Sequence, residues 1–418
     1  MRRFVRTEAS GGIALVAATV VALIWANSPW AESYTRFWHA AVNLQVGFVG
    51  IEEDLRHLVN DGLMTLFFLV VAMEIKRELV TGDLRNPRVA ALPAIAALGG
   101  MVVPALVYVA FNDGGVGSHG WGIPMATDIA FALGVLVLLG RRVPPALKLF
   151  LLSLAVIDDV GAIVVIAVFY TGRLDVGALA LALGTVGGVV VLRRLRVYWL
   201  PAYVGLGVVC WFATYHSGIH ATIAGVAFGL LTPARPLAPA EVARRWTLDM
   251  GDEPSAAELR QLRLIANETV SPAERLENLL APVTSFVIVP IFALANAGIE
   301  ISAGALEGAA AARVALGVGV GLVLGKLVGV FAASWLAVRS GLAALPRDAS
   351  WRDMAGVAGL AGIGFTVSIF ITGLAFDDPA LEEAAKLAVL AASLCASAVG
   401  ALIFLTGGRR RAAASEPA

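Results

Sequence analysis

The chain has 418 residues, of which 59% are hydrophobic and only 15% are Asp, Glu, Lys or Arg, against roughly 45–50% apolar and about 25% charged in soluble domains. That leaves too little polar surface for a body bathed in water. Its 31 basic and 31 acidic residues cancel, so no global field draws it to nucleic acid, and Cys210 and Cys395 lie in apolar runs without metal-ligand spacing, as small core residues do.

A bilayer span needs about 20 mostly apolar residues, so stretches free of charge serve as the ruler. The first runs from Ala9 to Ala31. Arg2 and Arg3 precede it as in a secretion signal, but no clear small-x-small cleavage site follows and eleven more spans do, so it is expected to stay as an uncleaved helix. Between residues 41 and 51, Val42, Leu44, Val46 and Phe48 alternate with Asn43, Gln45 and Gly47, a period of two in a stretch too short to span. It reads as an external β-hairpin that pairs with its own copy in a homodimer, or as a plain linker.

Leu58 to about Glu78 makes the second span, with Asp61 near one end and Glu74, Lys76, Arg77 and Glu78 at the other. Val89 to Asn112 is the third. Gly114 to Gly140 is split by Asp128, and Leu149 to Gly172 by the pair Asp158 and Asp159. Val176 to Leu192 follows, then Val197 to Ala234, which is long enough for two helices joined at Ser217 and Gly218. The charged, proline-bearing stretch from Pro233 to Glu277 separates residues 1–232 from residues 278–408 as a cytoplasmic linker, with a short amphipathic helix expected between Ala256 and Ile265. Asn278 to Ile299, Val314 to Val338 with Lys326 at its centre, Met354 to Phe376 and Leu387 to Gly408 complete about twelve spans before a tail at 409–418. The fold class is therefore an all-α polytopic membrane protein with one small β-hairpin. Basic residues fall mostly in alternate loops, among them Lys76, Arg77, Arg141, Arg142, Arg193 and Arg194, while the acidic clusters Glu52-Glu53-Asp54 and Asp377-Asp378 fall in the others. The bias places both termini in the cytoplasm.

The informative residues are those that ought not to be in a membrane. A charge at the bilayer centre costs roughly 2.5–3.5 kcal/mol on insertion scales, so Asp128, Asp158, Asp159 and Lys326 together demand partners or water. A structural salt bridge accounts for one pair. Three carboxylates against one ammonium leave surplus negative charge, which favours a cation or proton site. Carboxylate oxygens are hard ligands for a hard cation, and no Cys or His cluster selects a transition metal; His216 and His220 are four apart but lack a third ligand for zinc. Gly122-Ile123-Pro124 before Thr127-Asp128, and Gly359 through Gly362 and Gly364 to Thr366, place helix breakers at membrane depth. Taken singly these are packing glycines, as Gly321, Gly325 and Gly329 around Lys326 are. As a matched pair in spans 4 and 11, each the middle helix of a three-span unit, they favour interrupted helices that cross between inverted repeats. Asp128 would then face the positive helix N-termini, and Lys326 the carbonyl ends.

At these residues the chain resembles the NhaA-type Na+/H+ antiporter family. The likeness is carried by Asn60-Asp61-Gly62-Leu63-Met64, Glu74-Ile75-Lys76-Arg77-Glu78-Leu79, Ala126-Thr127-Asp128-Ile129-Ala130-Phe131, Ile157-Asp158-Asp159-Val160-Gly161, Ser217-Gly218-Ile219-His220-Ala221-Thr222, Ala295-Asn296-Ala297-Gly298, Gly325-Lys326 and Gly362-Ile363-Gly364-Phe365-Thr366. The resemblance implies a secondary transporter of the bacterial inner membrane, not an enzyme. It would work without a cofactor and extrude Na+ or Li+ for external protons, with more than one proton per ion. It further implies Asp159 as the chief Na+ ligand, Asp158 as partner of Lys326 or second carrier, and Thr127 and Asp128 at the helix crossing. Glu74, Arg77, Glu78 and Glu277 would form a pH-sensing cluster, and His220 would take part in the pH response. Asn278 and Ala281 stand where the family pattern carries histidines, which leaves the pH set point open. Two rivals remain. A cation channel would need no counter-ion, and an intramembrane aspartyl protease would carry a Gly-x-Gly-Asp segment that this sequence lacks.

Overall fold

The structure, a computed structural model, describes residues 2–413 apart from 47–48, 196, 198, 302–307 and most of 237–268. The amphipathic helix expected between Ala256 and Ile265 lies outside the described residues. Helix α1 (Arg2–Ala26) is followed by α2 (Ala31–Trp38), which turns 116° away from it. Strands β1 (Ala41–Val46) and β2 (Val49–Asp54) pair antiparallel, with Leu44 opposite Ile51, so the pairing runs three residues past the expected 41–51. Asp54 ends the hairpin and begins the next helix: its side chain accepts from the His57 backbone N–H at 2.7 Å, satisfying a donor that a helix start leaves unpaired.

That helix, α3, runs from Leu55 to Val80 with a π-turn at Val59–Leu63. Asn86 caps α4 (Pro87–Phe111). Next comes a 3₁₀ segment, Val116–Met125, then extended residues up to Asp128, and then α5 (Ile129–Leu139), bent 43° from the 3₁₀ segment. Helices α6 (Pro145–Phe169), α7 (Val176–Arg194), α8 (Leu200–His216) and α9 (Thr222–Leu231) follow. Helix α10 (Pro272–Asn296) is capped by Ser271 and carries a π-turn at Thr284–Ile288. It starts inside the stretch expected to be linker, so Glu277 belongs to a helix. Helix α11 (Ala309–Arg339) has a π-turn at Gly321–Gly325 directly before Lys326. A Ser350–Asp353 capping box opens α12 (Trp351–Leu360), the chain breaks at 361–364, and α13 (Phe365–Ala375) leaves at 45° before the long α14 (Pro379–Ala413).

Among the described residues seven helices are individually long and apolar enough to cross a bilayer, and the three bent pairs raise that number to ten. The chain is thus an all-α polytopic membrane protein. Helix α9 has only 10 residues, about 15 Å of rise, half the roughly 30 Å of a hydrocarbon core. It lies along α3, while α4 packs face to face with α11, and α14 packs against α11, α12 and α13. The α4–α11 seam is closed by glycines. A Cβ on Gly329 would stand 2.8 Å from the Gly99 carbonyl carbon, and one on Gly325 would stand 2.9 Å from Pro104 Cα, so the two backbones touch where no side chain fits. Close seating of this kind fixes Lys326 against α6.

Candidate functional site

Two interrupted helices meet in the centre of the molecule. The backbone N–H of Asp128 donates to the Ile363 carbonyl at 2.6 Å, the Thr127 hydroxyl to the Ala361 carbonyl at 2.9 Å, and the Ser368 hydroxyl to the Ile123 carbonyl at 2.7 Å. These bonds satisfy groups that broken helices leave unpaired in an apolar interior. Gly362 and Gly364 serve close approach: a Cβ on Gly362 would run into the Leu322 carbonyl oxygen of the α11 π-turn, and one on Gly364 would lie 2.9 Å from Leu322 Cδ2.

Asp128 caps both descending halves. Its Oδ1 accepts from the Phe131 N–H at 3.0 Å, and its Oδ2 from the Thr366 N–H at 3.1 Å and the Thr366 hydroxyl at 2.6 Å. One carboxylate therefore faces the N-termini of α5 and α13, where anions are favoured. Lys326 occupies the complementary place. Its Nζ donates to Asp158 Oδ2 at 2.6 Å and to Thr127 Oγ1 at 2.9 Å, and Thr127 passes the contact on to the end of α12. The Lys326 and Asp158 side chains are both 0% exposed.

Consecutive residues on α6 point about 100° apart, so Asp159 turns away from this pair. It makes no hydrogen bond or ion pair among the described residues. Instead it lines a narrow cavity together with Thr127, Asp128, Glu74, Glu277 and Thr284. At the mouth, Arg77 holds Glu277 at 3.2 Å and reaches Glu78 at 3.7 Å. Ala281 also lines the cavity, so the position that carries a histidine in the family pattern offers only a methyl group.

A second, wider cavity opens by the hairpin and is lined by Asp61, His220, Arg56, Glu382 and Lys386 among others. The two enter from opposite ends of the same helices. Along α3 the hairpin-side cavity reaches Asn60 and Asp61 and the other reaches Phe67 to Glu74; along α13 the division falls between Val367 and Phe370. Phe68, Phe292 and Phe370 pack between them, with ring centroids 5.4 and 6.3 Å apart, and all three are buried. Asp61 and His220 thus sit beyond this aromatic layer from Asp159. Burial pushes the His220 imidazole below its ordinary range, against a hydrogen bond with the Tyr170 backbone; His216 is exposed. An ion-pair network lines the hairpin side: Arg56 pairs with Glu382, which also binds Lys386 at 2.6 Å, and Asn60 and Asn296 bond at 2.7 Å.

Of the residues singled out from sequence, Thr127, Asp128, Asp158 and Lys326 are joined through hydrogen bonds or adjoining backbone at the crossing. Asp159 adjoins it from the cavity side. Glu74, Arg77, Glu78 and Glu277 gather at the mouth. Sequence reading missed Thr284 and Ser285, hydroxyls on the α10 wall; their only signal is two adjacent hydroxyl residues in the apolar middle of a span. Residues 2–404 match the family model described as Na+/H+ antiporter 1. Among curated relatives, Na(+)/H(+) antiporter NhaA 3 of Frankia alni is 46% identical over 98% of this chain and 89% of its own length. Na(+)/H(+) antiporter NhaA of Syntrophobacter fumaroxidans is 45% identical over 97% and 90%, and Na(+)/H(+) antiporter NhaA 2 of Myxococcus xanthus is 47% identical over 99% and 92%.

Proposed function

Since the chain belongs to the Na+/H+ antiporter 1 family and is a sodium/proton antiporter, we propose that Asp159 is the seat that the cation and a proton occupy in turn. The observation that carries this is a carboxylate that makes no hydrogen bond or ion pair among the described residues and lines the cavity beside Glu74 and Glu277. Every other acid at the centre is committed, Asp158 to Lys326 and Asp128 to two helix starts. Asp159, by contrast, lines the cavity, where its oxygens can meet a hard ion.

The basic residues Lys76, Arg77 and Arg193 lie toward the cavity's mouth and the acidic hairpin lies at the other end, which supports a cytoplasmic entry and cytoplasmic termini. Na+ or Li+ then enters past Glu277, displaces the proton from Asp159, and neutralises the site. A neutral site can reorient across the aromatic layer, whereas an empty charged one resists it. Asp158 or Lys326 carries the further proton that makes exchange electrogenic, so the membrane potential assists extrusion. Twelve spans with inverted repeats fit this reading: α4 to α6 and α11 to α14 surround two middle members broken at matching depth. The Arg77–Glu277 cluster at the entrance and His220 on the far side are the proposed pH-responsive groups. The hairpin edge is the proposed homodimer contact, in a bacterial inner membrane. The test is sodium-dependent proton movement in vesicles carrying Asp159→Asn: exchange is lost if the assignment is right, and exchange that persists overturns it.

A further inference from the structure

Hydroxyl-bearing residues inside these helices usually bond to their own backbone. Thr19, Thr214, Thr372 and Ser334 each donate to the carbonyl four residues back, at 2.7 to 2.8 Å, as expected where water is absent. Thr284 departs from this pattern. It is 7% exposed, yet its Oγ1 has no hydrogen-bond partner among the described residues. A buried hydroxyl left unpaired is unfavourable and calls for an explanation. Its surroundings supply one: Thr284 opens the π-turn of α10, a feature frequent at functional sites, and lines the same cavity as Asp159.

We propose that the Thr284 hydroxyl oxygen is a ligand of the cation held at Asp159, supplied from the α10 wall of the cavity. The inference rests on the Asp159 assignment and extends it to a residue that neither the charge pattern nor the family motifs single out. A neutral oxygen suits the chemistry: it coordinates a hard cation without adding a charge that would have to be neutralised on reorientation. Helix α10 contacts α1 and α3 more closely than it contacts α6, the helix that carries Asp159. The ligand therefore belongs to the wall and is present while the cavity is open on the Glu277 side.

The experiment compares purified full-length Thr284→Val, Thr284→Ser and Thr284→Cys with the parent in proteoliposomes, reading the KM for Na+ and the maximal exchange rate at fixed pH. Loss of the hydroxyl in Thr284→Val raises the Na+ KM about tenfold, equivalent to about 1.4 kcal/mol, with the maximal rate within about twofold. Thr284→Ser keeps the parental KM. Thr284→Cys, which keeps the shape without a hard oxygen, follows Val and replaces it if Val does not insert. In the absence of Na+, Thr284→Val melts no lower than the parent, because the group removed had no partner. An unchanged KM in Val and Cys overturns the proposal, as does an equal rise in Ser, which would indicate packing. If Asp159→Asn retains exchange in the same vesicles, the underlying reading fails whatever Thr284 does.

Discussion

Replacing Lys326 with methionine keeps the length of the side chain and deletes its charge, so it isolates what the ammonium does for Asp158. The two groups are 2.6 Å apart with no exposure. At an effective dielectric constant of about 20 their attraction is about 6 kcal/mol, and several kcal/mol of desolvation per ion nearly cancel it. The pair is therefore close to neutral in net stability, while half of it is not. Without Lys326 the carboxylate either stays charged, at about 3–5 kcal/mol, or takes up a proton. Protonating an aspartate from its solution pKa of about 3.9 costs about 4 kcal/mol at pH 7 and about 1.4 kcal/mol less for each unit the pH is lowered. Lys326→Met should thus lower the melting temperature of the detergent-solubilised protein strongly at pH 7 and only slightly at pH 5. Lys326→Met combined with Asp158→Asn should regain most of the loss at pH 7. Equal melting of single and double variants at pH 7, or a defect that does not fade by pH 5, would refute the reasoning.

Asp128→Ala leaves the starts of α5 and α13 without their shared acceptor, and at about 1 kcal/mol per cap it should destabilise the protein by about 2 kcal/mol in the same melting assay, with Asp128→Asn intermediate; a variant that melts like the parent would remove Asp128 from its capping role. The His220 imidazole is held below its ordinary range by burial, so the unfolded chain takes up that proton first as pH falls. Stability is unaffected by this group above the ordinary histidine pKa of about 6.5, and declines from there down to the lower folded value. Thermal melts between pH 8 and pH 5 should show the decline in the parent and a flatter profile in His220→Gln; identical slopes would clear His220 of it.

The spans were legible because a bilayer excludes charge, and the two breaks because glycine and proline at membrane depth are conspicuous. Which of Asp158 and Asp159 meets Lys326 was not legible from helix geometry, which sets an angle between neighbours but not which one faces the partner; only the family resemblance pointed to Asp158, and the choice depends on how α4 and α11 seat their glycines. The shortness of α9 was hidden because a charge-free run measures where a helix can extend, not where it turns. Arg56 and Glu382 lie 326 residues apart, and no local pattern links them. The π-turns were equally invisible. They shift hydrogen bonds by one residue without altering composition, and Thr284 went unnoticed with them.

Those π-turns also set a phase. Each lets one more residue into a turn than an α-helix holds, and in α11 the surplus falls at Gly321–Gly325, immediately before Lys326. If these residues relaxed to ordinary α-helix with their number unchanged, everything beyond them would rotate by about 100° with a shift of about 1.5 Å. The relaxed helix would be as apolar and as long as before, and would still cross the bilayer. Lys326, however, would point away from Asp158. The hydrogen-bond register of this helix is thus a coordinate of the transport machinery, one that hydropathy does not record.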